Sequence, residues 1–295
     1  MNILELVSQN KKIQAWHSEL TTLGRQLVMG LSGSSKAIAM ASAYLDYQEK
    51  LVIVTSTQNE VEKLSSDLSE LLGEELVFQF FSDDVAAAEF IFASMDKTLS
   101  RIEALQFLLD PKTRGILLVS LSGLRTLLPN PKVFERSQVS LKVGQEYDSD
   151  TLTKQLITIG YQKVSQVISP GEFSRRGDIL DIYEITQELP YRLEFFGDDI
   201  DGIRKFNPET QTSFEQVEEL LVYPASDLIF EVSDFQRGIE HLEEALKTAK
   251  TEKKAYLEDL LAVSKDGFKH SDIRKFQSLF YEKEWTLLDL SLIHI

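Results

Sequence analysis

The stretch LVMGLSGSSKAIAMA, residues 27–41, decides the class of the fold, because it reads as an apolar strand, a Gly/Ser-rich turn and a helix. That is the layout of a phosphate-binding loop, whose pattern is G-x-x-x-x-G-K-[ST]. Gly30 and Lys36 stand at the required separation. Ser35, however, replaces the glycine before the lysine, and Ala37 replaces the Ser or Thr whose hydroxyl would hold magnesium. The stretch predicts an α/β fold with a degenerate P-loop.

The degenerate loop leaves three interpretations open. It is an ordinary strand–turn–helix in which Gly33 eases the turn, a loop that still binds ATP, or the relic of a nucleotide site in an NTPase fold. An ATPase would also need an acidic residue near a strand end, and the apolar strand 115–121 runs into SLSGLRTLLP without a carboxylate. We therefore expect no ATP hydrolysis and no cofactor.

The region around this loop alternates between strands and helices, which is typical of an α/β domain with a mostly parallel sheet. Residues 1–24 have helical periodicity, and two prolines in LPNPKVF (128–134) mark a boundary. We assign residues 1–136 to this first domain. Its further predicted elements are strands at 51–57, 76–81 and 115–121 and helices through 48, at 59–73 and at 96–110.

The pattern changes after the boundary. A capped helix at 148–160 precedes a run of strands with turn signals, which predicts a smaller, inserted α+β domain with an antiparallel sheet over residues 137–224. A long helix is predicted at 233–262, within a helical third part covering residues 225–295. The chain ends on the apolar run EWTLLDLSLIHI, so we expect a truncated domain with foreign residues after Leu290.

The composition limits the classes of function. The 295 residues contain 31 Lys and Arg against 47 Asp and Glu, a net charge of −16, and no cysteine. Such acidity disfavours DNA binding by this chain alone and suits either solubility or a basic protein surface. The missing cysteines, with no apolar run of membrane-spanning length and no signal peptide, indicate a cytoplasmic protein without a membrane partner.

No catalytic or metal-binding constellation stands out in the sequence. The four histidines lie far apart, so a zinc or iron site is not expected. The aspartates of FGDDID (196–201) could suggest magnesium, but Gly197 and Asp198 are typical of a turn between two strands.

The most distinctive segment lies in the second predicted domain. GEFSRRGDILDIY (171–183) and YRLEFFGDDIDGIRKFNPETQ (191–211), with the distance between them, resemble a segment shared by the bacterial excision-repair protein UvrB and the transcription-repair coupling factor, Mfd. The resemblance extends to about residue 290, and the degenerate loop favours the Mfd family. It implies a helicase-lobe-like parallel sheet domain (domain 1a), domain 2 and domain 1b.

The resemblance also implies a function. Domain 2 of the Mfd family binds UvrA, whereas RNA polymerase and DNA are bound by domains outside this chain, including an ATP-dependent translocase motor. We therefore expect a non-catalytic docking module that recruits UvrA to stalled RNA polymerase. The alternative is a nucleotide- or DNA-binding helicase lobe of a UvrB-like repair protein.

The UvrA-contacting positions of the family match Arg176, Arg192 and Phe196. Strand alternation in PYRLEFFG (190–197) places Leu193 and Phe195 in the core and Arg192 and Phe196 on the other face. The sequence leaves open whether Phe196 is an exposed anchor or packs under a loop. A bulge at Gly202 would let both Ile200 and Ile203 face inward.

Overall fold

The computed structural model describes residues 3–20, 26–82, 95–265 and 276–291, which form a mixed α/β protein with a parallel three-stranded sheet, a six-stranded sheet that is antiparallel except for one pair, and an antiparallel two-stranded sheet. These residues fall into two compact units, one of residues 1–88, 103–126 and 287–295, the other of residues 89–102 and 127–286. The helices are α1 (Ile3–Ser8), α2 (Lys11–Glu19), α3 (Ser35–Tyr47), α4 (Gln58–Leu72), α5 (Met95–Leu109), α6 (Pro131–Arg136), α7 (Ser149–Thr158), α8 (Val232–Thr248), α9 (Thr251–Lys265) and α10 (Leu287–Ser291). The strands are β1 (Leu51–Thr55), β2 (Val77–Phe80), β3 (Ile116–Ser120), β4 (Val139–Lys142), β5 (Gln162–Lys163), β6 (Glu172–Arg176), β7 (Ile179–Ile182), β8 (Tyr191–Phe196), β9 (Asp199–Phe206), β10 (Ser213–Val217) and β11 (Glu219–Val222).

The first unit is built on a parallel sheet with the order β1–β3–β2. The central strand β3 is buried along its whole length, as its continuous apolar run predicts. Helix α4 begins where the Thr57 hydroxyl accepts a hydrogen bond from the Glu60 amide, and it ends at Gly73, whose φ of +103° suits glycine. The α/β class predicted from the sequence is confirmed.

Two predictions for the N-terminal region need correction. The strand expected at 27–30 is not formed, and Leu27 is 84% exposed, since this stretch has no strand pairing that would bury it. The helix expected over residues 1–24 is interrupted, because the Asn10 side chain caps a new helix, α2, by accepting from the Lys12 amide. Residues 1–2 and 21–24 of that prediction lie outside the described residues.

The second unit contains the sheet β10–β9–β8–β7–β6–β5, which we call the large sheet. Its strands pair antiparallel except for β5 and β6, which are parallel. The predicted bulge is present between β8 and β9 opposite the Glu194–Phe195 step, and Ile200 and Ile203 are both fully buried. Strand β4 pairs separately with β11.

The prediction of one long helix at 233–262 is wrong. It is divided into α8 and α9 by an extended residue, Ala249 (φ −69°, ψ 135°). The break lets Leu260 of α9 share a core with Leu242 of α8 and with Phe280. Each segment keeps helical periodicity by itself, so the pattern of apolar residues does not reveal the break.

The predicted division into three domains, residues 1–136, 137–224 and 225–295, is not tested by the two compact units and stays a prediction. His270, His294 and, of the foreign residues expected after Leu290, residues 292–295 lie outside the described part of the chain. Among the described helices, none has the length and apolarity needed to cross a membrane.

Candidate functional site: the polar face of the large sheet

Two hairpins of the large sheet bring the predicted site residues together. The β6–β7 hairpin turns at Gly177–Asp178 and the β8–β9 hairpin at Gly197–Asp198. Both glycines have positive φ, +63° and +64°, so each two-residue turn places glycine where a side chain would be strained. Because β7 and β8 are neighbours, the two turns lie side by side, and the Phe195 amide donates to the Asp178 carbonyl oxygen at 2.8 Å.

Strand alternation separates the two faces at β8, as the sequence predicts. Leu193 is fully buried and Phe195 is only 7% exposed, whereas Phe196 is 81% exposed. The sequence left open whether Phe196 packs under a loop, and its exposure excludes this packing in the structure. Phe196 stands directly before the turn glycine Gly197 at one end of the sheet.

The turn that carries Phe196 is held by a neighbouring segment of the chain. The Tyr147 amide donates to the Asp198 carbonyl oxygen at 2.6 Å, and the Ile200 amide donates to the Gln145 carbonyl oxygen at 3.0 Å. These main-chain hydrogen bonds on the far side of β9 fix the hairpin. Phe196 is therefore presented on a rigid support rather than at a free loop tip.

The face of the large sheet that carries Arg192 and Phe196 is called the polar face. It contains a buried carboxylate, Asp181 on β7, which sequence reasoning missed. Asp181 has no exposed surface and stands opposite Arg192 of β8 in the strand register. Its Oδ1 accepts from Arg192 Nε at 2.7 Å, and its Oδ2 accepts from Arg192 Nη2 at 3.0 Å and from Arg176 Nη2 at 2.8 Å. One carboxylate thus holds two guanidinium groups.

The environment of Arg192 differs from what the sequence suggests. Its side chain is only 14% exposed, and besides the bidentate pair with Asp181 it donates from Nη1 to the Gln211 carbonyl oxygen at 3.2 Å. Its guanidinium carbon also lies 4.7 Å from the centre of the Phe206 ring. The hydrogen bond to Asp181 is the main reason that the pKa of Arg192 is raised. In this conformation Nε, Nη1 and Nη2 of Arg192 each donate a hydrogen bond within the second unit.

Arg176 is placed differently. It ends β6 directly before the turn at Gly177, its side chain is 52% exposed, and its hydrogen bond to Asp181 comes from one terminal nitrogen. Its register partner across the hairpin, Ile179, is partly exposed and stands opposite Glu194 of β8. Arg176, Ile179 and Phe196 therefore share the open end of one sheet face, which we call the hairpin-end surface.

Comparisons with known proteins find similarities that include the large sheet. A family model described as the UvrB interaction domain matches residues 139–228, which include all six strands of the large sheet. The chain is 30% identical over 276 residues to the transcription-repair-coupling factor of Bacillus subtilis strain 168, covering 90% of this chain and 23% of that protein. It is 32% identical over 275 residues to the factors of Staphylococcus aureus and Staphylococcus haemolyticus, covering 89% of this chain.

The chain corresponds to the N-terminal UvrB-homology module of the transcription-repair-coupling factors. It spans about a quarter of the length of the curated relatives that it matches, 23% in each of these cases. The resemblance inferred from residues 171–183 and 191–211 is thereby confirmed.

The loop of this UvrB-homology module that resembles a phosphate-binding loop precedes α3 in the first unit. Gly30 and Gly33 both have positive φ, +87° and +55°, and they give the segment a looped course. The Ser35 hydroxyl donates to the Ser32 carbonyl oxygen at 2.6 Å and accepts from the Ser32 amide at 2.8 Å. These two hydrogen bonds close the turn between Ser32 and Ser35.

The two residues after Ser35 face different surroundings. Lys36 is exposed, and its charge contributes to lowering the pKa of Glu60, although hydrogen bonds from Ser56 are the larger cause. Ala37 is fully buried in the core that α3 shares with α4 and the parallel sheet. Ala37 therefore works as a core residue, at the position where a phosphate-binding loop would carry a hydroxyl that holds magnesium.

The aspartates of residues 196–201 behave as the turn interpretation predicts. Asp198 belongs to the turn, Asp199 begins β9, and both side chains are exposed. Among the residues that the structure describes, no three carboxylate or histidine groups are arranged to hold a metal ion.

Proposed function

We propose that this UvrB-homology module is a docking module without catalytic activity of its own, which binds UvrA through the polar face of the large sheet. The observation that carries the proposal is Phe196, an 81% exposed aromatic side chain held next to a fixed turn, at the same end of the sheet face as the half-exposed Arg176. Both residues lie inside the region that matches the UvrB interaction domain.

The chemistry of the hairpin-end surface suits a protein partner. Aromatic and arginine side chains supply much of the binding energy of protein interfaces, since a ring buries a large apolar area and a guanidinium pairs with a carboxylate in a fixed geometry. Arg176 lies on β6 and Phe196 on β8, and the strand between them, β7, carries the apolar Ile179. A partner would need an apolar recess next to a carboxylate.

The role of the whole protein is part of the same proposal. The similar proteins are named transcription-repair-coupling factors, and this chain covers 23% of their length. We infer that the complete protein recruits UvrA to RNA polymerase stalled at damaged DNA, with polymerase and DNA contacted by parts outside this chain. The chain then contributes the repair-protein contact to a cytoplasmic DNA-repair assembly.

Biolayer interferometry with immobilised UvrA tests the proposal through matched pairs of variants. Phe196→Ala is compared with Phe214→Ala, which removes a 59% exposed phenylalanine from the edge strand β10. Arg176→Ala is compared with Arg136→Ala, which removes an exposed arginine of α6 that has its own ion pair with Glu231.

Truncation of an interface anchor costs about 2 kcal/mol or more, which corresponds to roughly thirtyfold weaker binding. We expect this loss for Phe196→Ala and Arg176→Ala, and a change below about threefold for the two controls. Parent-like binding by both Phe196→Ala and Arg176→Ala would place the docking surface elsewhere. A parent that does not bind UvrA would overturn the docking function itself.

The same samples test the alternative of a nucleotide- or DNA-binding helicase lobe. Calorimetric titration with Mg-ATP should show no binding in the millimolar range or below, because Ala37 occupies a core position and supplies no metal ligand. Tight magnesium-dependent binding of ATP, or nanomolar binding of DNA at physiological salt, would favour the helicase-lobe alternative.

A further inference from the structure

We propose that the buried Asp181 is the positioning residue of this docking surface, which fixes the Arg176 guanidinium on the same sheet face as Phe196 before a partner arrives. The inference rests on the proposed function, because it assigns a role within the same UvrA-binding face. It follows from an arrangement that neither the family match nor the similarity to the coupling factors specifies: two arginines share one inaccessible carboxylate.

The hydrogen bonds of Asp181 divide its two neighbours into different roles. Arg192 takes both carboxylate oxygens, at 2.7 and 3.0 Å, in the bidentate geometry that fixes a guanidinium in its plane. Arg176 takes a single hydrogen bond, from Nη2 to Oδ2 at 2.8 Å, and its side chain stays 52% exposed. Arg192 therefore anchors the carboxylate, and the carboxylate in turn holds Arg176.

The surroundings of Arg192 make this anchor rigid. The Phe206 ring packs 4.7 Å from its guanidinium carbon, and the Gln211 carbonyl oxygen accepts from Nη1. Phe206 itself is fully buried in a small cluster with Val167 and Tyr183. Since a guanidinium stacked on a ring and bonded on three nitrogens cannot rotate freely, Asp181 is held in one position as well.

The charges of Arg176, Arg192 and Asp181 do not cancel, and the excess positive charge lies on the most exposed of the three, Arg176. Two guanidiniums carry two positive charges and Asp181 carries one negative charge, so the trio has a net charge of about +1, taking the arginines as always protonated. The only half-exposed member of the trio is Arg176. An arginine that is already ordered loses less conformational freedom when it pairs with a partner carboxylate, so the tether raises affinity by preorganisation.

A double-mutant cycle on UvrA binding tests the role of Asp181. The four proteins are the parent, Asp181→Asn, Arg176→Ala and the double variant; Asp178→Asn, in the adjacent exposed turn, is the matched control. We expect Asp181→Asn to weaken binding about tenfold in the parent and less than about twofold when Arg176 is absent, because coupled neighbours are not additive. An equal loss in both backgrounds would show that Asp181 does not act through Arg176 and would overturn the inference.

A second measurement on the parent alone keeps the inference testable if Asp181→Asn does not fold or the parent does not bind UvrA. NMR relaxation of the arginine side-chain Nε groups compares Arg176 with Arg204, which is 46% exposed and lies 3.5 Å from Glu194. A tethered Arg176 should approach the order of rigid backbone, about 0.85, while Arg204 stays below about 0.6. Equal mobility of the two would refute the tether, whereas an ordered Arg176 in a parent without UvrA binding would refute only the proposed function.

Discussion

Replacing Arg192 by alanine should destabilise the second unit rather than only weaken partner binding. The change removes the hydrogen bonds at 2.7 and 3.0 Å to Asp181 and the one at 3.2 Å to the Gln211 carbonyl oxygen. It leaves the fully buried Asp181 with Arg176 as its remaining guanidinium. Breaking a buried pair costs about 3–5 kcal/mol; with Arg176 still present, we expect a loss of about 2–4 kcal/mol in the free energy of unfolding.

The two tryptophans allow this unit to be followed separately. Trp16 belongs to the first unit and Trp285 to the second, so a Trp16→Phe background leaves Trp285 to report on the unit that contains Arg192. Urea unfolding followed by Trp285 fluorescence should show a midpoint lowered by about 1 M or more, since urea slopes of small proteins are about 1–3 kcal/mol per M.

Arg204→Ala in the same background is the matched control for Arg192→Ala. Arg204 stands opposite Arg192 on β9, but it is 46% exposed and only 3.5 Å from Glu194, so its loss should cost less than about 1 kcal/mol. If Arg192→Ala unfolds together with the parent and with the control, the pair with Asp181 is not formed in solution. Arg192 would then be free to contact a partner, as the sequence by itself suggests.

Three further predictions concern the two units separately. Phe195→Ala should lower the free energy of unfolding by about 3–5 kcal/mol in the Trp285 assay, whereas Phe196→Ala should change it by less than about 0.5 kcal/mol; similar losses would contradict the face assignment. Ala37→Thr should lower the melting temperature of the first unit, because a larger residue in a filled core costs about 1–3 kcal/mol, and an unchanged melt would show that the site has room. Burial raises the pKa of Glu184 above the ordinary 4.5, so between pH 4.5 and that raised pKa the folded state binds more protons than the unfolded state and stability should fall as pH rises. Glu184→Gln should remove this dependence of stability on pH, and a dependence that persists in the variant would assign it to other groups.

Much of the fold could be predicted from local sequence signals. The strand β3, the helix α4 with its stop at Gly73 and the hairpin turn at Gly197 each depend on residues within a few positions of one another. Alternation along β8 likewise separates the buried Phe195 from the exposed Phe196. These features are predictable because the determining contacts lie within one element or one tight turn.

The features that were missed depend on distant parts of the chain. The apolar stretch 27–30 has strand character, but a strand forms only where a neighbour pairs with it. The break at Ala249 lets α8 and α9 pack into one core with Phe280, which lies more than thirty residues further along the chain. Local periodicity contains no information about either partner.

The roles of the two arginines show where sequence reasoning on the site ends. The two-residue turn at Gly177 fixes the register of β6 against β7, so the position of Arg176 relative to Asp181 could be derived from the hairpin alone. The connection from β7 to β8 is longer, and no tight turn fixes which residue of β8 stands opposite Asp181. That register places Arg192 against the buried carboxylate, where its guanidinium is bonded within the sheet. Of the three residues expected to contact UvrA, Arg176 and Phe196 are the more exposed ones and Arg192 is bonded to Asp181 within the sheet; the contact of each with UvrA stays a prediction.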